Sequence, residues 1–433
     1  MTLFWKADRQ DDLVVRGARV LDPVEGIDGL VDVRVDRGTI VAVGNVDANG
    51  HRVIDGTGLV LAPGFVDPHV HLRTPGREDE ETIATGTAAA AAGGYCAILA
   101  MPNTDPVVDS AATLGSLVET AQAEAEIPTG FLAAITKGQD GAELTEMAEL
   151  ADAGAAGFTD DGRPVVSAGL MRRALQYGGF AGRRIALHCE EPSLSQGGHM
   201  HEGVVSAALG VLGYPSVGES AMVGRDLALA AYEQQPLHVM HVSARESVEL
   251  LARAQADGVQ ATAEVTPHHL CLTDEAVRTL DPNLKMSPPL RSADDRTALI
   301  AALKDGTIAA VATDHAPHAR HEKEVPFEEA PNGVTGLETA FASLYTNLVQ
   351  TGQLELATLL ERMSAGPARI FGLERPRIAV GAQANLVLLE LDAVWRVEES
   401  GFRSRSVNSW LLGQTLRGRV KTTVAGGKVV HEA

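Results

Sequence analysis

The stretch GFVDPHVHLR, Gly64 to Arg73, sets His69 and His71 two residues apart, just after the apolar run Leu59-Val60-Leu61-Ala62. On an extended strand, side chains two apart point to the same side, so both imidazoles can reach one metal ion. Neutral imidazole is the commonest metal ligand, and zinc accepts two of them when carboxylates or further His complete its shell. A His-x-His pair also arises by chance or for packing, so its meaning depends on what the rest of the chain supplies.

Other polar residues end apolar runs in the same way: Asp160 and Asp161 in FTDDG, His188 in ALHCEE, His241 in HVMHVS and Asp314 in ATDHAPH. A buried Asp or His without a partner costs a few kcal/mol or more, and a pair of divalent metals would give all of these residues a common one. Each has a plainer reading too. Asp160 and Asp161 can open a turn before Gly162, and His188 can be a satisfied core histidine. His238 and His241 flank Val239-Met240, and His241, nearer the strand end, is expected to face the site. His268 and His269 in TPHH suit supporting roles. His199 and His201 lie in a glycine-rich stretch with no strand before it and read as loop residues. Arg73 falls two residues beyond His71, on the same side of the expected strand; its planar fork suits a bidentate carboxylate contact, and a surface ion pair is the alternative.

The elements that must position these residues follow a rhythm. Apolar runs ending in HVHL, AMPN, AITKG, FTDDG, LHCEE, VMHVS, EVTPHH and ATDHAPH alternate with Ala- and Leu-rich stretches, among them 81–92, 111–125, 143–153, 247–256 and 294–304. Eight β/α repeats over roughly 250 residues match a (β/α)8 TIM-like barrel, in which catalytic groups sit at the C-terminal strand ends. A doubly wound open sheet is the alternative topology. Residues 12–63 alternate Val with polar residues at period two and read as half-buried antiparallel strands. ANLVLLELDAVWRV and LRGRVKTTVAGGKVV return to that style, so the two chain ends are expected to share one small β domain.

Composition narrows the function. With 433 residues, 45% of them hydrophobic, the chain can build one large domain and a smaller one. A net charge of -21 argues against nucleic acid and anionic membrane partners. It leaves a small anionic substrate open, because a local Arg and metal ions can reverse the sign inside a cleft. Cys96, Cys189 and Cys271 form no disulfide framework and fit a reducing cytoplasm. The acidic start lacks a signal peptide's apolar core, no apolar run is long enough to span a bilayer, and no Gly-x-Gly-x-x-Gly fingerprint is present.

Taken together, PGFVDPHVHLR, MPNT, FTDDG, ALHCEE, HVSARES, EVTPHHL, KMSPPLR, ATDHAPH, GVTGLET and SAGPARIFGL resemble the amidohydrolase superfamily and, within it, the type I bacterial dihydroorotases. The resemblance implies a metal-bearing barrel with a small β-sandwich built from both chain ends, divided as 1–63, 64–366 and 367–433. It implies a cytoplasmic enzyme that reversibly hydrolyses dihydroorotate to N-carbamoyl-L-aspartate in pyrimidine biosynthesis, a homodimer, with aspartate transcarbamoylase as a candidate partner. It implies two Zn2+ ions. One is held by His69, His71 and Asp314 and the other, in a site expected to fill only in part, by His188 and His241, with Asp161 bridging.

The same resemblance makes Asp314 the catalytic base and places Arg73, Asn103, Ser287 and His318 around the substrate. Many relatives bridge the metals with a carbamylated lysine; Asp161 stands here instead, which resembles the Asp-containing branch and argues against a hydantoinase or allantoinase. Ser287 in KMSPPLR stands where relatives commonly carry Asn, so a direct ring contact becomes water-mediated. The long stretch 321–339 is expected to cover the site. A hydantoinase-like cyclic-ureide hydrolase and a non-catalytic scaffold for aspartate transcarbamoylase are the competing readings.

Overall fold

The computed structural model describes residues 3–6, 10–48 and 50–433. Part of the acidic start, residues 1, 2 and 7–9, lies outside the described residues. The fold is mixed α/β.

Gly64 divides the apolar run that leads to His69. Before it, Val60–Pro63 belongs to a six-stranded sheet; after it, Phe65–Val70 begins a parallel one. A Cβ at Gly64 would stand 2.9 Å from the Cys96 side chain, so only glycine lets the chain pass from one sheet to the other here.

The six-stranded sheet takes Arg19–Asp22, Ile27–Leu30 and Val60–Pro63 from the front of the chain and Leu386–Arg396, Thr415–Ala425 and Lys428–Glu432 from the back. A four-stranded sheet of Leu13–Arg16, Asp32–Asp36, Thr39–Gly44 and Arg52–Asp55 shares a core with it, in which Leu13, Val15, Val33 and Ile40 meet Leu61, Leu386 and Leu388. The expectation of antiparallel strands over 12–63 needs correction, since Leu13–Arg16 pairs in parallel with Arg52–Asp55 and Arg19–Asp22 in parallel with Val60–Pro63. The longer connections between these partners allow parallel pairing, which a tight hairpin would forbid.

The middle of the chain holds two all-parallel sheets: Phe65–Val70, Tyr95–Ala100 and Thr129–Phe131, then Ile185–Leu187, Leu237–Val239, Ala261–Val265 and Ala310–Val311. Their strands are buried almost throughout, as expected when helices cover a parallel sheet. Isolated bridges join Ala133 to Phe158 and Phe158 to Ile185, and another joins Val70 to His315. The fourth apolar run therefore contributes a single bridged residue and no extended strand.

Helices alternate with these strands. Ile83–Ala92 starts at Thr82, which forms a capping box with Thr85, and stops at Gly93-Gly94. Gly93 is required there because a Cβ would meet the Leu337 carbonyl oxygen at 2.2 Å. The stretch expected to be helical over 143–153 forms only Met147–Asp152, since Glu143 to Thr145 pair back with Ile135 to Lys137.

One buried carboxylate ties the chain ends together. Asp22 accepts from the Ile378 amide at 2.7 Å and from the Val24 and Glu25 amides at 2.9 and 3.1 Å. Replacing it with Ala leaves those donors unpaired, at a cost of about 1–3 kcal/mol. Asp22→Ala is expected to lower the thermal midpoint while leaving activity per folded molecule unchanged; an unaltered melt would show that water replaces the carboxylate.

Candidate metal centre

Six imidazole and carboxylate groups meet at the C-terminal ends of the parallel strands. His71 Nε2 lies 3.1 Å from Asp314 and 3.5 Å from Asp161. His69 Nε2 lies 3.4 Å from Asp314 and 3.7 Å from Asp161, and His241 Nε2 3.6 Å from Asp161. His188 reaches the group through Nδ1, 3.7 Å from Asp161 and 2.9 Å from His241 Nε2. All of these residues are buried.

Most of these contacts exceed the 2.7–3.2 Å of an N–H···O bond. They match the ligand-to-ligand edge of about 3.4 Å that follows from zinc bonds of roughly 2.0–2.2 Å in a tetrahedral shell. His69 Nε2 is buried and has no hydrogen-bond partner. Two triads, His69-His71-Asp314 and His69-Asp161-His241, hold their ligand atoms within 4.8 Å of one another. The donor set thus fits a divalent metal. It differs in detail from the expected division, because His69 belongs to both triads.

The electrostatics agree. Burial opposes ionisation of Asp161, but His69 and its neighbours hold its carboxyl well below the usual range. Burial likewise opposes charge on His69, yet Asp314 and Asp161 outweigh it and raise its affinity for a proton. A cavity that draws a proton onto His69 to balance its carboxylates is one that a divalent cation would neutralise more fully.

Three of the four imidazoles are gripped at the nitrogen facing away from the cluster. Glu264 accepts from His69 Nδ1 at 2.8 Å and Asn103 from His71 Nδ1 at 2.9 Å, while Glu190 lies 2.9 Å from His188 Nε2. Such partners fix the tautomer, so that a lone pair faces inward. Glu264 also takes His238 Nε2 at 2.9 Å, which turns His238 away from the cluster. Burial disfavours charge on Glu264, but the two imidazole donors bring it down to about 2.

Sequence reasoning missed Glu264 and Glu190. The available signal was an acidic residue inside the apolar strand Ala261–Val265, an expensive placement unless buried donors surround it. Asp160 has a supporting role, accepting from the Ile135 and Thr136 amides at 2.7 and 3.1 Å.

Other expectations change. The strand stops at Val70, and Arg73 adopts φ of 57°, so Arg73 does not continue the side of the strand that carries His71. Its Nε lies 3.0 Å from Glu80 and donates to the Pro317 carbonyl at 3.1 Å, in a buried pair and not at the surface. His318 donates through Nε2 to the Asn332 carbonyl at 2.8 Å; burial and the adjacent Arg73 push its pKa down to about 3. Asn103 touches the cluster itself, through His71. Ser287 precedes a cis Pro288, and among the described residues no hydrogen bond joins its side chain to the cluster. His268 and His269 lie in the short helix Pro267–Cys271, and His269 is bonded to Thr266 and the Pro288 carbonyl. His201, expected in a loop, forms with Met200 a two-residue strand against Gly213–Tyr214. Within 321–339, Lys323 ties the segment to the Pro282 carbonyl, and Val334 bridges to His315 beside Asp314.

The family model described as dihydro-orotase-like matches residues 58–247. A dihydroorotase of Geobacter metallireducens is 44% identical over 423 residues, covering 97% of this chain and all of the relative. One from Pelotomaculum thermopropionicum is also 44% identical, with 97% and 98% covered. Among solved structures, the L-hydantoinase (dihydropyrimidinase) of Arthrobacter aurescens superposes with a TM-score of 0.88 at 28% identity, over 98% of this chain and 96% of that one. No helix among the described residues is long and apolar enough to cross a membrane.

Glu264→Gln keeps the shape but presents an N–H to one of the two imidazoles. It is expected to weaken zinc binding about 10–100-fold in competition with a chelator. Unchanged affinity would mean that Glu264 does not orient His69.

Proposed function

The chain belongs to the dihydroorotase family, and from that premise we infer that the His and Asp cluster is where it hydrolyses dihydroorotate to N-carbamoyl-L-aspartate and runs the reverse ring closure. The observation that carries this reading is the convergence of His69, His71, His188 and His241 on Asp161 and Asp314, with His69 Nε2 unpartnered at its centre.

In this reading the parallel strands form one eight-position barrel. The bridges at Phe158 and between Val70 and His315 support it by linking the two parallel sheets at both edges. The two sheets built from the chain ends form the sandwich, with limits at 1–63, 64–366 and 367–433. The sheet change at Gly64 supports the first limit. A homodimer and an aspartate transcarbamoylase partner rest on family resemblance alone.

Two zinc ions are proposed: His69, His71 and Asp314 would hold one, His188 and His241 would hold the other, and Asp161 would serve both. Bound zinc lowers the pKa of water from 15.7 to about 7 and polarises a carbonyl. Asp314 stands where it can take the proton of the attacking water and deliver it to the ring nitrogen as the C–N bond breaks. Such transfer contributes about 10²- to 10⁴-fold. Arg73, already buried, offers its guanidinium to the substrate carboxylate, with Glu80 and the Pro317 carbonyl fixing its approach. His318, held neutral with its Nε2–H on the Asn332 carbonyl, can accept through Nδ1 on the same side, and Asn103 and Ser287 complete the proposed contacts.

A hydantoinase-like activity shares the fold of the solved structures but has no need of Arg73. The chain carries Asp161 where that branch resembles a lysine-bridged site. Dihydroorotate is therefore expected to be turned over in preference to uncharged dihydrouracil; the opposite preference would reject the assignment. Asp314→Ala is expected to retain the fold and lose at least about 10²-fold in kcat. Arg73→Lys should raise KM for dihydroorotate about 10–100-fold, corresponding to a charged hydrogen bond of roughly 1.5–3 kcal/mol. An unchanged KM would remove Arg73 from the carboxylate site.

A further inference from the structure

The parallel strands have a second charged end. Arg184 immediately precedes Ile185–Leu187, whose far end leads to His188, and Pro236 precedes Leu237–Val239, which leads to His241. Between these strand beginnings and the turn after Ala365–Ile370 lies a cavity of about 530 Å³, lined by Arg183, Arg184, Arg369, Gln235 and Phe371 among others. No carboxylate lines it. In a chain where 57 acidic residues outnumber 36 Lys and Arg, a pocket with three guanidinium groups and no acid stands against the overall balance.

Most of that charge is uncompensated. Arg369 is paired with Glu361 at 2.8 Å. Arg183 donates only to backbone carbonyls, to Ala155 from Nε at 2.8 Å, to Gly182 from Nη1 at 3.3 Å and to Ala151 from Nη2 at 3.4 Å. Arg184 makes one long contact, from Nη1 to the Leu237 carbonyl at 3.4 Å. Among the described residues neither Arg183 nor Arg184 has an ion pair. Burial lowers the Arg184 pKa with no carboxylate to offset it. Holding a half-buried guanidinium without a counter-charge is unfavourable, and a bound anion removes the cost.

From this lining we propose a second binding site, remote from the metal cluster, for a small molecule that carries a phosphate group. Planar guanidinium forks match phosphate oxygens in pairs, which favours phosphate over a spherical anion. The volume falls within the range of small-molecule sites and exceeds what a bare phosphate fills, so a phosphorylated sugar suits it better. Gln235 adds an amide beside the arginines, which a carrier with hydroxyl groups could use.

Calorimetric titration of the metal-loaded protein with ribose 5-phosphate, inorganic phosphate and, as the uncharged control, ribose tests the assignment. Saturable binding of ribose 5-phosphate is expected, tighter than inorganic phosphate, with none for ribose. Arg184→Gln should weaken it at least 10-fold while dihydroorotate turnover stays within 2-fold, which also reports that the variant folds. Asp314→Ala should leave it unchanged. If Arg184→Gln does not fold, Arg183→Gln takes its place with the same expectation. Tighter binding of inorganic phosphate would overturn the sugar phosphate in favour of the bare anion. The site itself is overturned by absence of saturable binding, by equal affinity in the arginine variant, or by loss of binding in Asp314→Ala, which would place the anion at the metal cluster.

Discussion

Two carboxylates held among four imidazoles, away from water, set the terms for the rest of this molecule. Asp161 and Asp314 both approach His69 and His71, and both are buried. At an effective dielectric of 20, two like charges about 4 Å apart repel by roughly 4 kcal/mol, so the arrangement requires positive charge between them. Protonated imidazoles can supply some of it; divalent metals supply it while leaving the imidazoles neutral. The surrounding layer is consistent with the second solution. Glu264, Asn103 and Glu190 hold the outward nitrogens of His69, His71 and His188, an arrangement that aims lone pairs inward.

The backbone carries part of the same burden. Arg73, His241 and Asp314 have φ of 57°, 30° and 49°, values that cost about 1–3 kcal/mol each in non-glycine residues. Bonds on either side keep them there. The Val242 amide donates to the Glu264 carbonyl at 2.9 Å, and the His71 amide to the His315 carbonyl at 2.9 Å. Buried Asp67, its carboxyl pushed up to about 7 by desolvation, accepts from the Thr313 amide at 3.2 Å and so fixes the residue before Asp314. Strain gathered at three neighbouring positions is what a site with demanding geometry would need, since relaxed strand ends would point these side chains elsewhere.

Much of this was legible in the chain because burial of a polar residue is expensive and therefore visible. Asp or His at the end of an apolar run stands out, and His69, His71, Asp161, His188, His241 and Asp314 were all found that way. What periodicity could not give was the point at which a strand stops. Extending the strand past Val70 put Arg73 on the wrong side, because positive φ at a non-glycine residue leaves no mark in sequence. The parallel pairing of Leu13–Arg16 with Arg52–Asp55 was equally hidden, since alternation reports which face is buried and not the direction of the neighbour. Glu264 escaped notice because its two partners, His69 and His238, are far from it in sequence.

Chelator-stripped protein reconstituted with measured equivalents of zinc, with bound metal and dihydroorotate hydrolysis followed together, tests the central claim most directly. Hydrolysis should be absent from the stripped protein and rise in step with bound zinc. Full turnover of dihydroorotate by protein shown to contain no metal would contradict it.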